Sequence, residues 1–301
     1  MLHLRVFGDA PAMGHVAERM AALPGAEHVT RADAGDHSGR VVVTADLDAR
    51  AADAALAALS DIGIEPRDVW LLRLEGIQPG HRRRPESAVV WADLVGQAAL
   101  YARPVARFLG FMAVAGVIAA YGVLYSNGIL IVGAMAVSPD FLPIAATCIG
   151  VVGRHKRLAT YALVTLGTGL AVTGVTAAAL TTILDLIGEI PDGFALGENG
   201  LAGLTTVNSS TIVVAFVAGI AGILALETRA SAAVGVAISV TTIPASAYLG
   251  VAAGVGDFDK ASGAAAVLVL NVAMLLAGGT LTLLGQRVLE RRAGRSLTRR
   301  S

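Results

Sequence analysis

An aspartate inside a long apolar segment is the residue with the clearest chemical potential in this chain. Asp140 follows Pro139 and precedes Pro143, and the apolar segment around them begins near Ile129. Proline removes a backbone donor and clashes with the preceding turn, so the pair predicts a broken helix. A charged side chain near the centre of a membrane helix costs about 2.5–3.5 kcal/mol on insertion scales. The pattern predicts a site for a proton, a cation or a substrate amine; the alternative is a break near the surface, where Asp140 reaches water.

A second apolar segment carries a similar interruption. It runs from Ala233 to Pro244, with Thr241 and Thr242 shortly before the proline. Irregular backbone at membrane depth is tolerated only where protein or a water-filled cavity satisfies its polar groups. A matched pair of interrupted helices indicates the substrate site of a secondary transporter, and we expect the site between the two breaks.

The candidate residues for binding a substrate or ion are the prolines and polar side chains of the two breaks, with one amide from a later segment. They are Ser138, Pro139, Asp140, Pro143, Thr241, Thr242, Pro244 and Asn271. For each hydroxyl the alternative is structural, because Ser and Thr in membrane helices commonly bond to their own or a neighbouring helix. The polar run 205–211 is predicted to cap a helix. The histidines show no metal-ligand spacing; no cofactor is predicted, and the question of a metal is left open.

The composition is that of a membrane protein. Hydrophobic residues make up 55% of the 301 residues, and the mean hydropathy is +0.67. Nearly all of the apolar excess follows residue 105. Lys+Arg and Asp+Glu are both 23, so the net charge does not indicate a nucleic-acid partner. The single cysteine, Cys148, excludes an intramolecular disulfide, and residues 1–20 lack the apolar core of a signal peptide.

Residues 1–75 predict a small α+β domain that precedes the membrane part. Strands are predicted at 2–7, 26–32, 40–45 and 68–74, and helices from residue 9 to 23 and from residue 46 to 59. This βαββαβ order is that of the ferredoxin-like fold. The fold alone assigns no function. A packing or oligomerisation module is one interpretation, and a regulatory ligand-binding module is the other.

Residues 76–104 predict a linker with a helix at the membrane surface. The stretch His81–Pro85 is basic and prone to turns, and residues 86–102 read as an interfacial helix. The arginines Arg82, Arg83 and Arg84 act either as a topology signal or as contacts to anionic lipid head groups.

Six membrane spans are predicted after the linker, at 105–125, 128–152, 158–187, 207–226, 231–254 and 261–286. Basic residues precede span 1, lie between spans 2 and 3 and between spans 4 and 5, and fill the tail 288–301. The opposite loops are mostly acidic. This bias predicts a multi-pass protein of the cell membrane (inner or plasma), with both termini in the cytoplasm.

An internal repeat relates the two interrupted segments. Val132 to Val137 resembles Val234 to Ser239 at an offset of 102, and Pro143 then matches Pro244 when one residue is dropped. The interruptions fall in spans 2 and 5, the middle members of two three-span units. Because three is odd, the second unit enters the membrane from the opposite side. The sequence thus predicts a 3+3 inverted repeat with broken helices.

At these residues the chain resembles the bacterial membrane-protein family called domain of unknown function 389, over nearly its whole length. The resemblance lies in Ile131–Met135 followed by Ser138–Pro143, in Gly235–Pro244, and at Asn271. Some members are expected to carry Gly, Glu and Gly where this chain has Ser138, Asp140 and Leu142; Leu142 would fill space at the break. The resemblance implies the fold and the membrane location, and it implies no substrate.

Two functions remain open. One is a secondary transporter or channel-like permease for a small solute, coupled to a proton or cation through Asp140. The other is a non-transporting sensor or scaffold whose N-terminal domain binds a cytosolic ligand or partner. Enzyme activity is not expected, because the sequence has no Ser-His pair, zinc-protease helix or paired intramembrane aspartates. The expected partners are the lipid bilayer, the unidentified solute or ion, and further copies of the chain.

Overall fold

The computed structural model describes residues 2–34, 39–48, 51–73, 105–191, 208–228 and 231–298, and isolated positions between them (95, 96, 98, 99, 102, 194 and 196); within the last two ranges, the side chains of 227, 228, 231–240 and 290–298 are excepted. The chain divides into two compact units, Met1–Gly96 and Gln97–Ser301. The predicted linker and its arginines Arg82, Arg83 and Arg84 lie almost entirely outside the described residues.

The first unit is a four-stranded antiparallel sheet with two helices. Its elements are β1 (Leu2–Gly8), α1 (Ala10–Ala21), β2 (Ala26–Asp33), β3 (Val41–Leu47), α2 (Ala52–Asp61), a 3₁₀ turn (Pro66–Asp68) and β4 (Val69–Arg73). The strands lie in the order β2-β3-β1-β4, and every neighbouring pair is antiparallel. The predicted βαββαβ order is therefore confirmed.

Alternating apolar residues form the core of this unit. Leu2, Leu4 and Val6 of β1 are buried, and so are Met13 and Met20 of α1. Successive side chains of a strand point to opposite faces, so this alternation turns one face of the sheet towards the helices. The same pattern fixes the register of β1, because a slip by one residue would turn all three side chains away from the core.

An acid-histidine cluster joins three strands of the sheet. Nδ1 of His3 lies 2.7 Å from one carboxylate oxygen of Asp46, and Nδ1 of His28 lies 3.1 Å from the other. The hydrogen bond from His3, helped by His28, holds the pKa of Asp46 below its ordinary value. A lowered carboxyl pKa stabilises the fold at pH values above the ordinary range of the carboxyl, and this stabilisation is lost as pH falls through the lowered pKa.

We therefore expect Asp46→Asn to destabilise the sheet at neutral pH but not in acid. Amide hydrogen exchange of β1 and β3 in the full-length protein measures this, as the ratio of variant to wild-type rates at each pH. Asp33→Asn is the matched control, because Asp33 is an exposed residue of β2. A variant-to-wild-type ratio for Asp46→Asn that is the same at pH 7 and below about pH 3 would contradict the role of this carboxylate.

The second unit consists of helices. They are α3 (Ala106–Leu124), α4 (Gly128–Val137), α5 (Phe141–Val152), α6 (Lys156–Leu186), α7 (Ser209–Thr228), α8 (Ser231–Gly254) and α9 (Phe258–Thr298). Among the described residues, four helices are long and apolar enough to cross a membrane: α3, α6, residues 209–226 of α7 and residues 258–289 of α9. The pair α4 and α5 adds a fifth, bent segment. These helices are consistent with a multi-pass membrane protein.

Asparagine and aspartate side chains begin three of these helices. Asn127 accepts hydrogen bonds from the first turn of α4, and Asn208 accepts one of 2.8 Å from the amide of Thr211 in α7. The cap predicted within the run 205–211 is therefore confirmed at Asn208, while 205–207 lie outside the described residues. Asp257 accepts from the amide of Lys260 in α9, and this bond holds the pKa of Asp257 below its ordinary value.

Each helix of this unit packs on a defined set of neighbours. Helix α3 contacts α4, α6 and α8; α6 contacts α3, α5 and α8; α7 contacts α5, α8 and α9; and α9 contacts α5, α7 and α8. Helix α8 also contacts both α4 and α5. The helix α8, which carries the second of the two predicted segments, therefore packs against both half-helices of the first.

The prediction of a broken helix is confirmed at the first segment and wrong at the second. Helices α4 and α5 meet at 54° across residues 138–140, but α8 runs unbroken through Pro244. A single proline removes only one backbone donor, and membrane helices absorb it where neighbours supply other hydrogen bonds. Helix α9 also extends beyond the predicted end of span 6, since it continues to Thr298 within the predicted tail.

Candidate functional site

The break between α4 and α5 follows from its two prolines. Ser138 has an extended backbone, with φ −74° and ψ 131°, as expected for a residue that precedes proline. Helix α4 therefore ends at Val137, and Pro143 can be accommodated in the first turn of α5, where its missing N–H leaves no carbonyl unpaired. Asp140 lies between the two half-helices, immediately before α5.

The Asp140 carboxylate points towards another helix rather than to its own. A side chain at the start of a helix usually accepts from the first backbone amides, but Asp140 makes no such bond. Its Oδ1 accepts from Oγ of Ser138 at 3.0 Å, and its Oδ2 accepts from Oγ1 of Thr242 in α8. Asp140 is 0% exposed. The carboxylate thus links the break to α8 inside the protein.

The lone amide predicted as a site residue lies beside the proline of α8. Nδ2 of Asn271 donates to the carbonyl oxygen of Thr241 at 2.7 Å. A proline in a helix weakens the hydrogen bonding of carbonyls in the preceding turn, and Thr241 lies three residues before Pro244. Asn271 therefore supports the unbroken path of α8. Its Oδ1 is buried and has no hydrogen-bond partner among the described residues.

Basic residues are absent from the central parts of the predicted spans. The sequence has no Lys, Arg or His at positions 108–153, 158–228, 230–259 or 261–286. A buried carboxylate is costly, and hydrogen bonds from hydroxyls offset only part of that cost. The site can therefore take a proton or a cation. Among the described residues, no group of three His, Cys, Asp or Glu could hold a metal ion.

The structure thus brings most of the predicted residues together. Ser138, Asp140 and Thr242 are in direct contact, and Thr241 and Asn271 form an adjacent bonded pair. Pro139 and Pro143 form the break, whereas Pro244 lies within α8. Ser246, one turn after Thr242 in α8, donates to the carbonyl of Leu170 in α6 at 2.7 Å, which is a structural role.

A cavity in the same unit lies beside the site but does not include it. It measures about 630 Å³ between α6, α8 and α9, and almost all of its surface is apolar. Ser246, Gly174 and Gly250 line it together with aliphatic side chains, while neither Asp140 nor Thr242 does. In this conformation the carboxyl is therefore enclosed, and an ion could reach it only after a movement of the helices.

The contact between Asp140 and Thr242 is not obvious from either segment alone. The two residues are 102 positions apart, which is the offset that aligns the two segments. Corresponding residues of a two-fold repeat contact each other where they lie on its axis. The alignment of the two segments could therefore have predicted the contact between Asp140 and Thr242. The sequence analysis predicted only that the two threonines lie near the site between the two breaks.

Comparison with known proteins gives one match. No curated protein and no solved structure matches the chain. The family model described as "Domain of unknown function (DUF389)" matches residues 135–277, a segment that contains every predicted site residue. The match covers less of the chain than the resemblance implied, since it does not extend over residues 1–134. Residues 135–277 are therefore the part of the chain that is similar to the DUF389 family.

Proposed function

We propose that the protein is a six-span permease for a small solute, in which Asp140 binds the proton or cation that drives transport. One observation carries this proposal: a fully buried carboxyl lies at a helix break, bridged by hydroxyls from two different segments. Intramembrane carboxyl groups are rare and mark ion pathways or proton relays. Similarity to the family supplies no substrate.

The packing of the helices supports two inverted three-span units, α3 to α6 and α7 to α9. Exchange of α3 with α7, of the pair α4 and α5 with α8, and of α6 with α9 turns each packed pair into another packed pair. For example, α3 on α6 becomes α7 on α9, and α6 on α8 becomes α9 on α5. An internal two-fold relation would produce this pattern, and inverted repeats are common in secondary transporters.

Individual close contacts follow the same relation. A side chain on Gly116 would collide with the carbonyl oxygen of Thr173, and one on Gly219 would collide with that of Leu275. The second pair lies 103 and 102 positions after the first. Small residues let membrane helices approach closely. The α3–α6 and α7–α9 contacts therefore both place a glycine against a backbone carbonyl, and they do so at equivalent positions of the two units.

A second pair of contacts repeats at the same offset. Cys148 lies against the carbonyl of Leu276, with Sγ 3.7 Å from the oxygen. Gly250 lies against the carbonyl of Gly174. Each residue of one pair is 102 positions from its counterpart. Asp140 and Thr242 would then lie near the axis, where rocking of one unit against the other would expose the site to either side of the membrane.

Transport can be tested in proteoliposomes. We expect the full-length protein to move candidate solutes down an imposed gradient and to acidify or alkalinise the lumen when it does so, if the coupling ion is a proton. Asparagine has the shape of aspartate but cannot ionise, so Asp140→Asn should reduce coupled flux at least tenfold. Asp185→Asn, an exposed carboxyl at the end of α6, should transport like wild type. Equal coupled flux in wild type and Asp140→Asn would remove Asp140 from the mechanism.

The number of spans has its own test. Six spans place both termini on the cytoplasmic side, whereas five place them on opposite sides. We expect reporters fused to residue 1 and to residue 301 both to be active only in the cytoplasm. A reporter at residue 301 that is active on the outer side would mean that the total number of spans is odd, and it would contradict the 3+3 repeat.

The sensor or scaffold function keeps one supporting observation. Trp70 and Leu72 of β4 are 55% and 44% exposed, and Trp70 packs edge-on against Phe7 at 6.0 Å between ring centroids. An exposed aromatic cluster of this kind marks a contact surface more often than a scattered apolar residue does. Binding of a cytosolic ligand that is lost in Trp70→Ala, without any flux from the wild-type protein, would favour this function.

A further inference from the structure

We infer that the ion bound at Asp140 is a proton, and that Ser138 is the positioning residue that accommodates it by changing its hydrogen-bond acceptor. This inference rests on the proposed function only in its consequence for transport; the proton site itself is a statement about the protein alone. It begins from one hydroxyl that lies within reach of two acceptors.

Ser138 has a single hydroxyl hydrogen and two places to put it. Its Oγ lies 3.0 Å from Oδ1 of Asp140 and 3.2 Å from the carbonyl oxygen of Met135 in the last turn of α4. All three residues are buried. A serine hydroxyl has one donor and two acceptor lone pairs, so Oγ can donate to one of these partners while it accepts from the other.

The two choices correspond to the two protonation states of Asp140. When the carboxylate is ionised, Ser138 donates to it. When a proton binds Oδ1, the new acid O–H donates to Oγ of Ser138, and the serine turns its own hydrogen to the Met135 carbonyl. One O–H bond forms on Oδ1 as one O–H bond of a hydronium ion breaks and water is released, and the only other change is the exchange of hydrogen bonds at Oγ of Ser138. In both protonation states, each hydroxyl hydrogen of Ser138 and of the Asp140 carboxyl group has an acceptor.

Thr242 serves both states without change. Its hydroxyl donates to Oδ2, and the Oδ2 of a protonated carboxyl group still accepts a hydrogen bond. The contact between α8 and the break therefore survives the binding of the proton. Only the hydrogen bonds on the Ser138 side of the carboxyl are rearranged. The change of acceptor therefore occurs at the end of α4, and the contacts between the two three-span units are unchanged.

The surroundings favour a proton over a metal ion. Hard cations take six or more oxygen ligands or retain several waters, whereas the hydroxyls of Ser138 and Thr242 direct hydrogens at the carboxylate. The described charged side chains of the packed helices lie near the ends of the predicted spans: Arg107, Lys156, Arg157, Asp185, Asp259, Lys260 and Arg287. The other described titratable groups within the helices are one thiol and three phenols: Cys148, Tyr121, Tyr161 and Tyr248.

Infrared difference spectroscopy of the full-length protein in lipid nanodiscs tests the inference. Between alkaline and acidic buffers we expect the C=O stretching band of a carboxylic acid to appear, and we expect it to be missing in Asp140→Asn. Ser138→Ala removes the acceptor of the acid hydrogen, so the band should move to higher wavenumber. Ser138→Thr keeps a hydroxyl and should restore its position, which a purely structural role of Ser138 would not require.

Sodium ions are the competing probe. We expect the titration of the band to be the same in sodium and in choline buffers. Loss of the band on addition of Na⁺ at constant pH would overturn the inference. Asn271→Ala would then show whether the Oδ1 of Asn271, which has no hydrogen-bond partner among the described residues, serves as a cation ligand. Absence of the band at every pH would overturn it as well. A normal band in a protein without flux would refute the permease and leave the proton site standing.

Discussion

The substitution Gly219→Leu should prevent the helical unit, Gln97–Ser301, from folding into a stable form. A side chain at this position would collide with the carbonyl oxygen, the carbonyl carbon and the Cα of Leu275. These are backbone atoms of α9, so no rotation of a side chain relieves the overlap. Overpacking a core typically costs about 1–3 kcal/mol and sometimes more. Because α7 and α9 would have to separate along their length, we expect a cost at or above the upper end of that range.

The matched control is Gly285→Leu in α9. Gly285 is exposed, and a side chain built on it meets no atom within 4 Å. Both variants gain the same helix propensity and the same hydropathy, so they differ only in the overlap. The measurement is the yield of monodisperse protein in mild detergent, together with the free energy of unfolding in mixed micelles. A Gly219→Leu protein as stable as Gly285→Leu would show that α7 and α9 do not approach as closely as described.

The proposed repeat extends this expectation to the first of the two three-span units, α3 to α6. Gly116 lies against the backbone of Thr173 as Gly219 lies against that of Leu275. We expect Gly116→Leu to be similarly destabilising, because it would separate α3 from α6. If only one of the two substitutions were harmful, the two three-span units would differ in packing, and the argument for a two-fold relation would lose its residue-level support.

Local chemistry explains which parts of the fold could be predicted. The alternation of Leu2, Leu4 and Val6 and the caps at Asn127 and Asn208 depend on residues close in sequence, so their elements appear where expected. The break at Ser138 has the same local origin, because a residue before proline avoids the helical region. In such cases the residues that determine the local structure lie within a few positions of it, so it can be predicted from a short stretch of sequence.

The path of α8 depends on a distant residue and could not be predicted in this way. Pro244 resembles Pro143 as a local signal, but α8 continues through it. The amide of Asn271, which is 30 positions from Thr241, donates to a carbonyl in the turn before the proline. Whether a proline breaks or only bends a membrane helix depends on such donors. A sequence read segment by segment does not reveal that α9 supplies one.

The contact of Thr242 in α8 with Asp140 at the break leads to the second prediction of a large effect. Thr242→Val should destabilise the protein strongly, because valine matches threonine in shape but removes the hydroxyl that donates to Oδ2 of Asp140. The carboxyl is 0% exposed, so water cannot replace the lost bond without a rearrangement. A hydrogen bond to a charged group contributes about 1.5–3 kcal/mol, and one between neutral groups about 0.5–1.5 kcal/mol.

A double-mutant cycle isolates this bond from other effects of the substitutions. Once Asp140→Ala has removed the acceptor, Thr242→Val should cost little, and the difference between its two costs is the coupling energy. The control cycle pairs Asp140→Ala with Thr181→Val. Thr181 is also fully buried, but its hydroxyl donates to the carbonyl of Ala177 in its own helix, so we expect additive effects.

The pH dependence of the coupling energy then reports the charge of Asp140. Free energies of unfolding in mixed micelles at several pH values should give about 1.5–3 kcal/mol where the carboxyl is ionised and about 0.5–1.5 kcal/mol where it carries a proton. The bond itself persists in both states, since Thr242 donates in each, and only its strength changes. A coupling energy near zero at every pH would mean that α8 does not contact the break. A large value that is the same at every pH would mean that the carboxyl never changes its charge, and a proton could then not be the ion that it binds.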